Sequence, residues 1–221
     1  MKKMKLRFGI LFLFLAVLLF APSLKAQDSE QENNSRLGIK AGVNVSNLFA
    51  NDVVSSNAQL GFNGGVFLKI AINQRFAFQP ELLFSTQGAE LEYNNSFVTG
   101  TVTYHLNYLQ VPLVGVYNVT RNINIQGGIY LASLLSSQAK NGTDDGSFNF
   151  EEEISKSNFQ SIDYGLLVGL GVDLNRISFG IRYNYGVSNV GKEFTFANEN
   201  VPHFPDARNS VFQGYLGFSI L

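Results

Sequence analysis

From Ile162 to Leu174 the chain changes character at every second residue. Ile162, Tyr164, Leu166, Val168, Leu170, Val172 and Leu174 alternate with Asp163, Gly165, Gly169, Gly171 and Asp173. A period of two puts successive side chains on opposite faces of an extended strand, and a helix cannot keep such a pattern on one side. Only Leu167 breaks the alternation. Two further stretches repeat it. Ile177, Phe179, Ile181, Tyr183 and Tyr185 stand against Ser178, Gly180, Arg182, Asn184 and Gly186, and Leu60, Phe62, Val66, Leu68, Ile70 and Ile72 against Gly61, Asn63, Gly65 and Lys69. These are strands with one apolar face and one polar, glycine-rich face.

Extended along the chain, the pattern predicts eight strands, near 36–46, 60–72, 76–90, 102–118, 123–136, 159–174, 177–189 and 209–221. Connections at 73–75, 119–122 and 175–176 are tight and built from Asn and other polar residues. Those at 47–59, 91–101, 137–158 and 190–208 are long and rich in Asn, Ser, Gly and Asp, so long and short alternate strictly. The charged strand residues Lys40, Lys69, Glu81, Asp163, Asp173 and Arg182 all fall on the glycine-rich face. A soluble barrel turns its apolar residues inward and would be inside out with this pattern. Placing Arg or Lys on a lipid face near mid-bilayer costs ~2 to 4 kcal/mol, whereas a continuous apolar outer face turned to water would be a severe aggregation liability. The expected fold is therefore all-β, an eight-stranded antiparallel transmembrane β-barrel in up-and-down meander order. Strand eight pairs with strand one so that no edge is left in hydrocarbon. An even strand number puts both termini on one side, and outer-membrane barrels keep short turns periplasmic. The expected location is the cell outer membrane, with the N- and C-termini in the periplasm.

The start of the chain reads as an address. Met1 to Arg7 is basic, Phe8 to Ala21 is apolar, and Pro22 ends the run short of the ~20 residues of a spanning helix. Residues 1–26 are read as a secretory signal peptide cut after Ala26, residues 27–35 as a disordered polar lead-in, and 36–221 as the barrel domain. Five of the 16 basic residues and none of the 17 acidic ones precede Gln27. From there on, 11 basic residues face 17 acidic ones, a net −6 that argues against a nucleic-acid partner. With no Cys and two His, thiol chemistry, disulfides and a multi-histidine metal site are not expected, and no cofactor is called for.

An eight-stranded barrel is only wide enough inside to be filled by side chains. Counting up from the turns by the strand period puts Lys40, Lys69, Glu81 and Arg182 together in the lower half of the lumen. The expected arrangement is a buried charge network in which Glu81 bridges Lys69 laterally and Arg182 across the lumen. Pro80 and Pro112 cannot donate ladder hydrogen bonds, so bulges or breaks are expected beside them.

Several segments carry a family resemblance: Phe78-Gln79-Pro80-Glu81-Leu82-Leu83, Tyr108-Leu109-Gln110-Val111-Pro112-Leu113, Gly127-Gly128-Ile129-Tyr130, Asp163-Tyr164-Gly165-Leu166 and Arg182-Tyr183-Asn184-Tyr185-Gly186. In these the chain resembles the PorT-like outer-membrane β-barrel family of Gram-negative bacteria. The resemblance implies insertion by the barrel-assembly machinery and, for the name-giving members, an accessory role in secretion or maturation of exported proteins. The family usually ends in an aromatic residue, whereas this chain ends Phe218-Ser219-Ile220-Leu221. The assembly signal is therefore assigned to Phe218 and Ile220.

The functional expectation is a barrel of structural or interaction type, accessory to secretion. Its partners are outer-membrane lipid, the assembly machinery and a secretion-system or surface protein. The alternative is a narrow conduit for small solutes or ions. Catalysis is not expected: the histidines, His105 and His203, belong to no nucleophile motif, and the acidic loop of Asp144, Asp145, Glu151, Glu152 and Glu153 lacks calcium-loop spacing. Replacing Phe218 with Asp is expected to lower the amount of barrel reaching the outer membrane, measured by membrane fractionation. Wild-type levels in that variant would count against the assigned signal.

Overall fold

The computed structural model describes residues 35–49, 56–95, 98–143, 150–152, 161–189 and 208–220. The proposed signal peptide, most of the lead-in, His203, most of the acidic loop and Leu221 lie outside them. The strands are β1 (Arg36–Phe49), β2 (Ser56–Ala71), β3 (Phe76–Asn95), β4 (Val98–Asn118), β5 (Ile123–Thr143), β6 (Phe150–Glu152), β7 (Ile162–Leu174), β8 (Ile177–Asn189) and β9 (Arg208–Ser219). Eight long antiparallel strands close into a barrel. The sheet runs β4-β3-β2-β1-β9-β8-β7-β5, and β4 pairs with β5 to close the ring. The short β6 adds only to the far end of β5, at Ala139↔Glu152 to Asn141↔Phe150. The seam between first and last strands runs without a shift from Gly38↔Ser219 to Phe49↔Arg208.

The alternation explains which way the wall faces. Ile162, Tyr164, Leu166, Val168 and Leu170 are exposed on the outside, while Asp163, Gly165, Leu167, Gly169 and Gly171 are buried inside. Phe212, Leu216, Phe218 and Ile220 are likewise exposed on the outer face of β9 and its end. Leu167 is the exception to the pattern because it joins an apolar cluster inside the lumen, with Leu106, Tyr108, Val114, Val116, Tyr130 and Leu134. The β4 and β5 side of the lumen is thus apolar, where the alternation predicts a polar, glycine-rich inner face. A dry, side-chain-filled interior accepts apolar residues as readily as paired polar ones.

The tight turns form as their residues dictate. The Asn73 side chain accepts from the amides of Arg75 and Phe76 at 2.9 and 2.8 Å, and the Thr120 hydroxyl accepts from those of Asn122 and Ile123 at 3.2 and 3.0 Å. Asn175 takes a left-handed backbone with φ 52°, a conformation Asn tolerates better than most residues. The prolines act differently from a bulge. Pairing lapses between Phe67↔Glu81 and Ile70↔Phe78, and between Pro80↔Leu113 and Leu83↔Gln110, with no change of register in either ladder. The register shifts lie elsewhere, between Ala58 and Asn63, at Asn107/Tyr108 and between Tyr185 and Asn189, toward the loop end of the strands.

The apolar belt has a visible upper limit. On β3 the outward positions run Phe76, Phe78, Pro80, Leu82, Phe84 and then Thr86. Thr86 donates to Asn107 at 2.9 Å and Asn107 to Ser136 at 2.9 Å, a polar row across three strands on the outer face. About nine residues below that row, at ~3.3 Å each and a ~40° tilt, make a belt of ~23 Å, matching the ~25 Å apolar band of outer-membrane barrels. Above it, β3, β4 and β5 continue paired to Asn95↔Val98 and Gly100↔Thr143, forming a sheet that extends past the belt.

Val168 lies mid-belt and is 57% exposed. Val168→Arg is expected to lower the unfolding free energy in lipid vesicles by ~2 to 4 kcal/mol, read from denaturant titration. An unchanged midpoint would contradict a lipid-facing position.

Candidate functional site

At mid-height the lumen is filled by charge. Glu81 on β3, Lys40 on β1 and Arg182 on β8 are 0%, 3% and 2% exposed. The Arg182 guanidinium donates to both Glu81 oxygens at 2.8 Å, a two-pronged pair across the lumen. Lys40 Nζ donates to Glu81 Oε1 at 2.6 Å and Gln79 to the same oxygen at 2.5 Å. The remaining Arg182 Nε donates to Gln126 at 2.7 Å, and Gln126 donates to the Tyr215 hydroxyl at 2.6 Å and to Asn124 at 2.8 Å. Two cations thus share one carboxylate. The surplus positive charge lies against the Tyr215 ring, with Lys40 4.1 Å and Arg182 4.9 Å from its centroid.

Small residues make this geometry possible. Lys40 is level with Gly65 on β2, which is level with Leu83 on β3. Lys40 reaches past Gly65 on β2 to Glu81, and a Cβ at 65 would collide with the Leu82 carbonyl oxygen, so the close approach of β2 and β3 here needs glycine. A Cβ at Gly180 would approach the Tyr215 hydroxyl to 2.7 Å, so that glycine makes room for the ring.

The structure brings together three of the four expected residues. Glu81 meets Arg182 across the lumen, but its lateral partner is Lys40, not Lys69. Phe67 is level with Glu81, and Lys69 lies two residues nearer the turn. There Lys69 pairs with Asp173 at 2.6 Å, and Asn124 donates to the same Asp173 oxygen at 3.0 Å. Counting residues from each turn ignored the stagger between neighbouring strands, which decides who meets whom in a tilted barrel. Gln79, Gln126 and Tyr215 were not singled out from sequence, although each falls on the inward parity of its strand.

A second polar group occupies the loop-side half of the lumen. Asp163, 2% exposed, accepts from Tyr130 at 3.2 Å, Asn209 at 2.9 Å and Ser188 at 2.5 Å. Neutral donors satisfy this carboxylate, and no ion pair of Asp163 is found among the described residues. His105 is half-buried and level with Gly88 and Gln138. No group of three or more His, Cys, Asp or Glu able to hold a metal occurs among the described residues.

A family model described as outer membrane protein beta-barrel domain matches residues 25–191. No curated protein matches the chain at a significant level. Among solved structures the chain is similar to Ail, the attachment invasion locus protein of Yersinia pestis, at 12% identity over 84% of this chain and 99% of that one, with a TM-score of 0.45. It is similar to Neisserial surface protein A at 12% identity, 85% and 99% coverage and a TM-score of 0.47. A third likeness is to the outer membrane protein OprG from Pseudomonas aeruginosa, at 12% identity, 84% and 94% coverage and a TM-score of 0.38.

Glu81→Gln strands two buried cations and is expected to cost ~3 to 5 kcal/mol of barrel stability in vesicles. Lys40→Met leaves the two-pronged Arg182–Glu81 pair intact and is expected to cost less than half as much. Equal losses in the two variants would contradict the shared-carboxylate geometry.

Proposed function

We propose that this chain, which belongs to the outer membrane protein β-barrel domain family, works as an integral outer-membrane protein of structural and interaction type. The observation that carries this reading is the filled lumen. Glu81, Lys40, Arg182 and Gln126 are each no more than 3% exposed, and Tyr215 is buried beside them. An ion crossing at this level would have to break a network in which every charged group is hydrogen-bonded, and the surplus positive charge repels cations.

Contact with a partner then falls to the surfaces outside the belt. Among the described residues, the paired extension of β3, β4 and β5 beyond the Thr86–Asn107–Ser136 row is the part that reaches furthest past the belt at that end. In the proposed orientation this sheet faces the exterior, and the tight turns and both termini face the periplasm. Residues 1–26 act as the export signal, and Phe218 and Ile220, on the lipid-facing side of β9 and its end, are read by the assembly machinery. The PorT-like resemblance favours a secretion-linked version of the role, with an exported or surface protein as the partner. A catalytic role finds no support at His105, whose cross-strand neighbours Gly88 and Gln138 are neither nucleophile nor acid.

In vesicles, the wild-type barrel is expected to give no solute or ion flux above the lipid background, and a tagged copy is expected to retain a surface or secretion-system protein. Steady flux that changes in Arg182→Ala would instead establish the conduit. Profiling exported proteins after deletion of the gene tests the secretion link; an unchanged profile would remove it.

A further inference from the structure

Each connection at the turn end of the barrel carries one arginine. Arg75 sits in the turn between β2 and β3, Arg121 between β4 and β5, Arg176 between β7 and β8, and Arg36 opens β1. Arg75, Arg121 and Arg176 are exposed and Arg36 is half-buried. None of the three turns contains an acidic residue, and the carboxylate nearby, Asp173, is taken by Lys69. Among the described residues this end therefore holds four arginines that no ion pair neutralises.

These arginines ride on a rigid frame. The Arg75 carbonyl accepts from the Asn118 amide at 2.7 Å, the Arg176 carbonyl from Ser219 at 2.7 Å and the Asn122 carbonyl from Asp173 at 2.7 Å. Arg36 donates to the Asn175 carbonyl at 2.7 Å, tying the start of β1 to the β7–β8 turn. Their depth is equally defined. Ile72 and Phe76, Val119 and Ile123, and Leu174 and Ile177 flank the three turns and are all exposed on the outer face. Arg75, Arg121 and Arg176 thus emerge at the rim of the apolar belt, where an arginine keeps its stem in the apolar zone and its head among phosphates; Arg36 shares the inward parity of Gly38 and Lys40 on β1 and braces the β7–β8 turn instead. The guanidinium fork suits phosphate oxygens geometrically as well as electrostatically.

We propose that Arg75, Arg121 and Arg176 form a docking ring for the phosphate groups of anionic phospholipids in the leaflet at the turn end, which fixes the depth at which the barrel sits. The proposal rests on the outer-membrane orientation above only in naming that leaflet as the periplasmic one. The ring and the filled lumen are independent: a barrel that conducts can still select anionic lipid, and one that does not conduct can fail to.

The test is the lipid retained by the full mature chain after extraction from vesicles of equal parts phosphatidylglycerol and phosphatidylcholine, read by native mass spectrometry. Folding is checked in each case by strand circular dichroism and resistance to unheated detergent. Wild type is expected to retain phosphatidylglycerol over phosphatidylcholine several-fold, with about five-fold per engaged arginine as the upper scale. The triple variant R75Q/R121Q/R176Q falls toward parity, the corresponding Lys triple keeps most of the preference, and each single Gln variant, which keeps two of the turn arginines, loses a part. No preference in wild type, or full preference in the folded Gln triple, would overturn the ring. So would a preference appearing only when residues 27–34 are removed, since Asp28, Glu30 and Glu32 would then be its occupants.

Discussion

Hydrocarbon offers no partner to a peptide N–H or C=O, and that constraint governs the rest of this structure. Each unpaired backbone group in the belt would cost several kcal/mol, so a sheet can cross only if it closes on itself. The β1–β9 seam is where closure is achieved, and it holds an unbroken register along both strands. The places where pairing does lapse, beside Pro80 and Pro112, are short and leave the register on either side in step. Stronger irregularities are kept toward the loop end, where water or other protein can satisfy the freed groups.

Closure at eight strands fixes the interior as a second constraint. The space is too narrow for bulk water, so charge inside must be matched by charge or by dipoles. Glu81 does this for two cations at once, and both of them lie against the Tyr215 ring. The apolar half of the lumen, from Ala77 and Val116 up to Leu106, fills the remaining volume without asking for partners. The interior therefore acts as a core of mixed chemistry, with a paired sheet extending past the belt at one end and an arginine-bearing rim at the other.

The wall was legible where one face was glycine-rich. In β7 and β8 the contrast between Leu or Ile and Gly leaves a single phase possible, and the structure follows it residue by residue. In β4 both faces are apolar, Val114 and Val116 inside and Leu109 and Leu113 outside, so alternation could mark a strand but not its inner side. The far ends of β3, β4 and β5 were cut short for a related reason. Along β3 the apolar residues change parity, from Phe76, Phe78, Leu82 and Phe84 to Leu91 and Tyr93, as the strand leaves the belt. Alternation in a single phase ends there. Lys69 was misassigned because sequence counts height along a single strand, whereas the partner of a buried charge depends on the stagger between strands.

The central claim is that the apolar residues point outward into lipid around a closed, filled wall. The chain has no Cys, so one cysteine can be introduced at each position from 162 to 174 and carry a unique spin label. In lipid vesicles, collision with oxygen, which partitions into hydrocarbon, is predicted to alternate along β7. It should be high at 162, 164, 166, 168 and 170 and low at 163, 165, 167, 169 and 171. Uniform accessibility, or maxima at the odd positions, would contradict the account.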